Sequence, residues 1–417
     1  MASRSDSFFN RAPVVVVSLW IGIASPGPSR ADVVSDWNEL AAAQDDRAPG
    51  TAAPTWTLAE DAEDMVAVAI FQAVNTIEQR YTPYRAPLGA PGRPASPKAA
   101  AVAAAHAVLV QAYPDRRPRL DDAYAVSLAS IPQGADRDAG IELGERAAAQ
   151  VIAWRKTDHS EPGEPYRPDT RPGLFVTPAL PTIRPWFVSS KPWMLSSNQQ
   201  FLPGPPVDLH SATWAHDYNE TKSLGGEHSA TRTAEQTLMA RFWYAHQWGP
   251  TLRQAASQPG RGLDQNARLY ALVHMTQNDA LLVHARAKML YLFWRPITAI
   301  RNGDQDGNTA TERQADWEPL VRTPMHPEYP CGHCVDSTAT AVVLQAEGTP
   351  PAEGVAVTSD AFPNATAYVP SYEALAEQIS ISRIYAGAHF RSSVEAGRKL
   401  GRDVAEYALK NYLTPVH

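Results

Sequence analysis

The chain has 417 residues, with 37 Lys and Arg against 44 Asp and Glu and a formal net charge of −7. That length can bury a large core in one or two domains. The acidic balance, without any long basic run, argues against a nucleic-acid partner. Its 36 prolines exceed an average share of about 5%. Trp, Tyr and Phe are spread through the same Pro-rich stretches, so we read these as ordered loops between helices rather than disorder.

At the N-terminus, Arg4 and Arg11 flank the start of an apolar run, 12–24, that is too short to span a bilayer. Ser29-Arg30-Ala31 then places small residues three and one before a cut. This is the pattern of an export leader over 1–31, with a mature chain beginning at Asp32, against the plainer readings of a buried strand or a retained anchor. The expected product is soluble, periplasmic or secreted, with no stable membrane anchor after processing. Residues 32–206 are expected to form an N-terminal helical region with a Pro-rich loop, and 207–417 a C-terminal helical catalytic domain. In the first part, Thr57 and Glu60 form a capping-box pattern opening an apolar stretch to Gln79. Ser96-Pro97 reads as an N-cap with Pro at the first helical position, before an Ala-rich run to 112. Helical spacing follows over 121–131 and 138–156. From 157 to 207 the pattern breaks, and Trp186, Phe187, Trp193 and Phe201 are expected to pin an extended loop. Helical spacing returns over 209–223, 231–244, 264–300, 334–345, 371–384 and 393–409. No strand alternation of convincing length and no internal repeat is evident, so the fold class is all-α.

Three short stretches in the second part carry chemistry. In the first, Lys288 and Arg295 lie seven residues apart, two helical turns, and so project from one helix face. Pro296 is expected to disrupt or kink that helix, and His274 and Asn278 share a similar stripe as supporting residues. The second stretch is Pro330-Cys331-Gly332-His333, just before a helix. Gly332 lets the backbone approach a ligand, first-turn amides favour an anion, and His333 suits acid–base work near neutral pH. The third places Arg383 six residues before His389 with Gly387 between, and 392–395 reads as another capping box. Taken singly, each stretch has a plainer reading: a surface Lys beside an ion-paired Arg, a capping turn with a packed His, an exposed loop His. Taken together, one Lys and two Arg that cannot neutralise one another ask for an anion. A tetrahedral oxyanion suits forked Arg donors and a point-charge Lys.

The set resembles the three-part motif of the vanadium-dependent haloperoxidase and type 2 phosphatidic acid phosphatase superfamily. That motif is Lys, six residues, Arg-Pro; then Pro-Ser-Gly-His; then Ser-Arg, five residues, His. The chain matches the first part at Lys288 to Pro296 and the third at Ser382 to His389, and the second with one change at Cys331. The resemblance spans roughly 264–409. The exported start, the Ala-rich helices and Phe293-Trp294-Arg295-Pro296 are most similar to the bacterial haloperoxidase-like branch. It implies a helix bundle of the haloperoxidase and acid phosphatase type with an additional N-terminal helical part. It also implies that Lys288, Arg295, Arg383, the residue at 331 and the Gly332 amide bind the oxyanion, with His333 as acid–base group. His389 becomes the axial ligand of vanadate, or the nucleophile in a phosphatase that needs no metal. Substrates are then small molecules, halide and peroxide or a phosphate ester.

Two departures stand out. The usual Ser is Cys331, whose thiol donates only a weak hydrogen bond and would oxidise beside peroxide. The Asp usually four residues after the ligand His is Ser393, leaving Glu395 or a backbone carbonyl to orient the imidazole. Cys331-Gly332-His333-Cys334 is also the tetrapeptide of protein disulfide isomerases, but the strand and βαβ surround of such a site are missing. A structural or regulatory disulfide in an exported protein is the better reading. Three functions stand at this point: vanadate-dependent halide oxidation, phosphomonoester hydrolysis through a phospho-histidine, and non-catalytic oxyanion binding.

Overall fold

The computed structural model describes residues 20–22, 32–44, 57–158, 166–177 and 188–416. The rest of the expected leader, Trp186 and Phe187 lie outside the described residues. The chain is mostly helical, as expected. Helix α1 (Val33–Ala42) starts where Asp32 caps it, its carboxylate accepting from the Ser35 amide at 3.0 Å. The expected capping box at Thr57 does not form. Leu58–Asp61 is a 3₁₀ turn with no side-chain cap, and α2 begins only at Ala62 and runs to Glu78. Ser96 does cap α3 (Pro97–Ala112), and Pro97 occupies its first turn. Helices α4 (Arg117–Ala129) and α5 (Ala135–Asp158) follow, and the alanines of α3 let α5 and α2 pack closely on either side.

The Pro-rich loop is pinned, as expected, but chiefly by a carboxylate. Asp279 is fully buried and accepts from the Trp193, Met194 and Leu195 amides at 2.6, 2.7 and 3.0 Å. Burial pushes its carboxyl up to about 6, against the pull of those amides and Arg155. Trp193 is buried beneath the Arg155 guanidinium, and Phe201 packs edge-on against Tyr407. Asp279→Ala would orphan three amides in the core, so it should cost about 3 kcal/mol or more. The check is the urea midpoint, and an unchanged midpoint would rule out the anchoring role.

The second part contains α6 (Ala212–Gly225), α7 (Ala234–Phe242), α8 (Gly249–Ala256) and α9 (Leu263–Tyr291). Then come α10 (Pro296–Arg301), α11 (Gly332–Glu347), α12 (Tyr372–Tyr385) and α13 (Arg391–Asn411). The single helix expected over 264–300 is two. Leu292 adopts a left-handed conformation at φ 47°, the chain stays extended to Arg295, and Pro296 opens α10 instead of kinking α9. The capping box expected over 392–395 is replaced by a long-range cap, in which Asp217 of α6 accepts from the Ser392 amide at 2.9 Å.

A small antiparallel sheet adds to the expected helices. Strands β1 (Trp20–Gly22), β2 (His246–Gln247), β3 (Val355–Ser359) and β4 (Thr366–Val369) lie in the order β1-β4-β3-β2. Val355, Val357 and Ser359 alternate inward along β3. Strand β1 falls inside the expected leader. One apolar core runs from Val34 to Leu413, with α2 packed on α9 and α11 on α13, and so crosses the expected 206/207 boundary. Among the described residues no helix is long and apolar enough to cross a membrane.

Candidate active site

The break after α9 delivers the first two cations. Lys288, in the last turn, is fully buried and donates to the Pro327 and Glu328 carbonyls at 2.5 and 2.7 Å. Burial and the nearby Arg295 push its ammonium well below the usual range, with Glu328 opposing. Arg295, released from helical geometry, donates to the carbonyls of His326 and Ala388, both at 2.8 Å. Its two terminal nitrogens also meet His389 Nε2 at 3.1 Å and His326 Nδ1 at 3.0 Å. Arg383, at the end of α12, is fully buried, donates to the Ser382 hydroxyl at 2.9 and 3.1 Å and lies over the Tyr244 ring at 5.8 Å. Lys288, Arg295 and His389 thus come together, not along one helix face but across the break after α9, while Arg383 lies beside His333.

Glu328 was not singled out in the sequence. It is fully buried, and its Oε1 accepts from His389 Nδ1 at 2.8 Å and from the Phe390 amide at 3.0 Å. It therefore takes the orienting role expected of Glu395, which is exposed on α13, or of a backbone carbonyl. Burial pushes the Glu328 carboxyl up to about 7, while Lys288, Arg295, the Phe390 amide and the Ser393 hydroxyl pull it down. With Nδ1–H committed to Glu328, the His389 lone pair sits on Nε2, facing Arg295. Burial and the two cations push the imidazolium well below its ordinary range, so the ring is neutral. A neutral, oriented imidazole is what a nucleophile or an axial metal ligand requires.

Gly332 and His333 open α11, where first-turn amides lack helical partners. A Cβ on Gly332 would sit 2.8 Å from His284 Nε2, so the glycine is needed for the close approach. His333 is half-buried under the Tyr244 ring, 6.4 Å away and nearly parallel. Burial, Arg383 and His246 push its imidazolium well below the usual range, leaving a neutral ring. Cys331 departs from expectation. It is disulfide-bonded to Cys334, fully buried, and its sulfur accepts from the Cys334 amide at 3.3 Å. A cystine sulfur has no hydrogen to give an oxyanion, so the binding role expected of the Cys331 side chain is not available in this state. His274 and Asn278 also sit elsewhere. They face Asp64 of α2 and line a separate cavity of about 530 Å³ that reaches His246, beside His333.

His284 and His326 also went unremarked in the sequence. A lone His on an apolar helix or between prolines carries no spacing signal, and only their approach to Gly332 and Arg295 brings them into the site.

Residues 268–417 match the family described as the VCPO second helical-bundle domain. That match takes in the C-terminal bundle from α9 onward. Across the whole chain the fold is that of bacterial vanadium haloperoxidase structures. A bacterial vanadium-dependent iodoperoxidase aligns with a TM-score of 0.71 at 22% identity, covering 91% of this chain and 96% of its own. The holo form of a bacterial vanadium-dependent chloroperoxidase aligns at 0.64 and 15%, covering 93% of each chain. Its apo form aligns at 0.66 and 15%, covering 89% of this chain and 96% of its own. No curated protein sequence matches the chain. The candidate site holds three buried cations, Lys288, Arg295 and Arg383, against one buried carboxylate, Glu328, an imbalance that an oxyanion would correct.

Proposed function

We propose that the protein is a vanadate-dependent haloperoxidase-like enzyme that oxidises halide with hydrogen peroxide. The observation that carries this reading is a neutral, Glu328-bound His389 whose Nε2 meets Arg295, with buried Lys288 close by and buried Arg383 beside His333. The residues fit vanadate. Excess buried positive charge, a glycine wall and an imidazole lone pair are the donor set that anion needs. His389 Nε2 would ligate it, and Lys288, Arg295, Arg383 and the Gly332 amide would hold its oxygens. Bound vanadate would supply a Lewis-acidic centre at which peroxide is activated toward halide.

The chain's own residues do the rest. Glu328 keeps the His389 lone pair aimed into the cradle. The three cations stabilise negative charge on the bound oxygens. His333, neutral beside Arg383, is placed to accept a proton from an entering oxygen and return it to a leaving one. Among the described residues no free cysteine is present, so the thiol that peroxide would attack is already oxidised. The disulfide also supports the proposal of a periplasmic or secreted location.

The test is bromination by purified protein with and without vanadate. Bromination is expected only when vanadate and peroxide are both present, and His389→Ala should abolish it. Hydrolysis of a chromogenic phosphate ester, inhibited by vanadate, would instead assign a phosphatase using His389 as nucleophile. Vanadate binding with neither activity would leave a non-catalytic oxyanion-binding protein.

A further inference from the structure

His284 lies on α9 one turn before Lys288, and the roles assigned above leave it unused. Its Nδ1 is 3.3 Å from the Leu281 carbonyl of the same helix. A carbonyl only accepts, so Nδ1 carries the hydrogen and Nε2 presents a lone pair. Burial and the neighbouring Lys288 keep the ring neutral, well below the usual imidazolium range. Nε2 is buried and, among the described residues, has no hydrogen-bond partner. It points at Gly332, at the opening of α11. The ring stands edge-on to His326 at 6.2 Å, and His326 Nδ1 in turn is 3.0 Å from Arg295. His284 thus occupies the wall of the cradle between Lys288, Gly332 and the His326–Arg295 pair. His389 Nε2 and His326 Nδ1 both meet Arg295, and His326 Nδ1 also lies 3.2 Å from the Pro327 carbonyl, whereas among the described residues His284 Nε2 meets no donor.

A buried acceptor without a donor is costly, and a ligand that donates to it recovers that cost. The His389 Nε2 lone pair is directed at the anion's central atom and His333 serves proton transfer, whereas Lys288, Arg295, Arg383 and the Gly332 amide are donors or cations that suit bare oxygens. A bare oxygen against His284 Nε2 would set lone pair against lone pair. A hydroxyl on the anion would instead complete the bond.

We propose that His284 is a specificity-determining residue of the cradle. Its Nε2 accepts a hydrogen bond from a protonated oxygen of the bound anion. The site therefore selects oxyanions that carry a proton near neutral pH, the phosphate, arsenate and vanadate class, over unprotonated sulfate and molybdate. This inference rests on the oxyanion cradle of the proposed function and adds the feature by which that cradle distinguishes anions of equal charge and shape.

The test is titration calorimetry with inorganic phosphate and with sulfate at mildly alkaline pH, where both are dianions of similar size and only phosphate keeps a proton. Wild type is expected to favour phosphate by about tenfold or more, the worth of one charge-assisted hydrogen bond. In His284→Ala the preference should collapse to within about threefold, with phosphate still bound as evidence of an intact fold. His284→Gln, whose amide can turn a donor toward a bare oxygen, should raise sulfate affinity, and it decides the matter if the alanine variant does not fold. Oxyanions that bind with an unchanged ratio in these variants would overturn the role of His284 and leave the cradle standing. No oxyanion binding by wild type would overturn the cradle itself.

Discussion

Glu328→Gln is expected to lower vanadate affinity and the kcat of vanadate-supported bromination by about 10- to 100-fold, the usual cost of removing a ligand's hydrogen-bonded carboxylate. Glu328 Oε1 holds both His389 Nδ1 and the Phe390 amide, and the carboxylate has no exposure to water. A Gln oxygen can accept from the same two donors, so the fold should survive and Tm should change little. What is lost is the negative charge that makes His389 Nε2 a stronger ligand. Two effects compete here. Removing the carboxylate leaves Lys288, Arg295 and Arg383 less compensated, which should tighten any anion held by charge alone. Weakening the imidazole should loosen only an anion bonded to Nε2. The variant is therefore expected to bind sulfate or phosphate at least as tightly as wild type while losing vanadate. Equal loss of all three anions would mean that Glu328 only supports the local fold. Wild-type vanadate affinity in the variant would remove it from the mechanism.

The parts of this site legible in the sequence were those that recur at fixed short spacing. Lys288 and Arg295 lie seven residues apart and Arg383 is six residues from His389, so the short segments at the ends of α9 and α12 keep each pair close even though neither pair shares a helix. Glu328 is 61 residues from the imidazole it orients, and no periodicity links them. The cap on α13 comes from Asp217, 175 residues away, whereas the Ser392 to Glu395 pattern only imitates a local one. Short strands were missed for a related reason. β3 and β4 are five and four residues long, too few alternations to separate from chance, and they are stabilised by pairing with each other. The long helices were found because their apolar spacing repeats many times. The end of α9 was misplaced because the left-handed turn at Leu292 carries no glycine to announce it.

Gly401→Ala should destabilise the protein and weaken oxyanion binding together, because α13 reaches the site through two glycines. Gly397 and Gly401 lie one turn apart on the face that packs against the start of α11. A Cβ on Gly401 would sit 2.2 Å from the Val335 carbonyl oxygen and 3.0 Å from the Ala339 amide. One on Gly397 would sit 2.5 Å from the Cys331 carbonyl oxygen and 3.0 Å from the Cys334 Cβ. These obstacles are mostly backbone, which cannot rotate aside as a side chain would. Alanine should gain up to about 1 kcal/mol in helix propensity, while overpacking of a close interface costs about 1–3 kcal/mol and more where backbone must move. The net expectation is a loss of about 2 kcal/mol, read as a lower urea midpoint. The strain of Gly401→Ala falls on Val335 and Ala339 of α11, the helix that Gly332 and His333 open, so displacing α11 shifts the Gly332 amide and His333 relative to Arg295 and His389. Positioning errors of this kind reduce binding as well as stability. Arg402→Ala is the control. It lies one residue further along α13, pairs with the half-exposed Glu373, and should change stability by about 0.5 kcal/mol or less. A Gly401→Ala protein with wild-type midpoint and phosphate affinity would show that α11 and α13 can separate without disturbing the cradle.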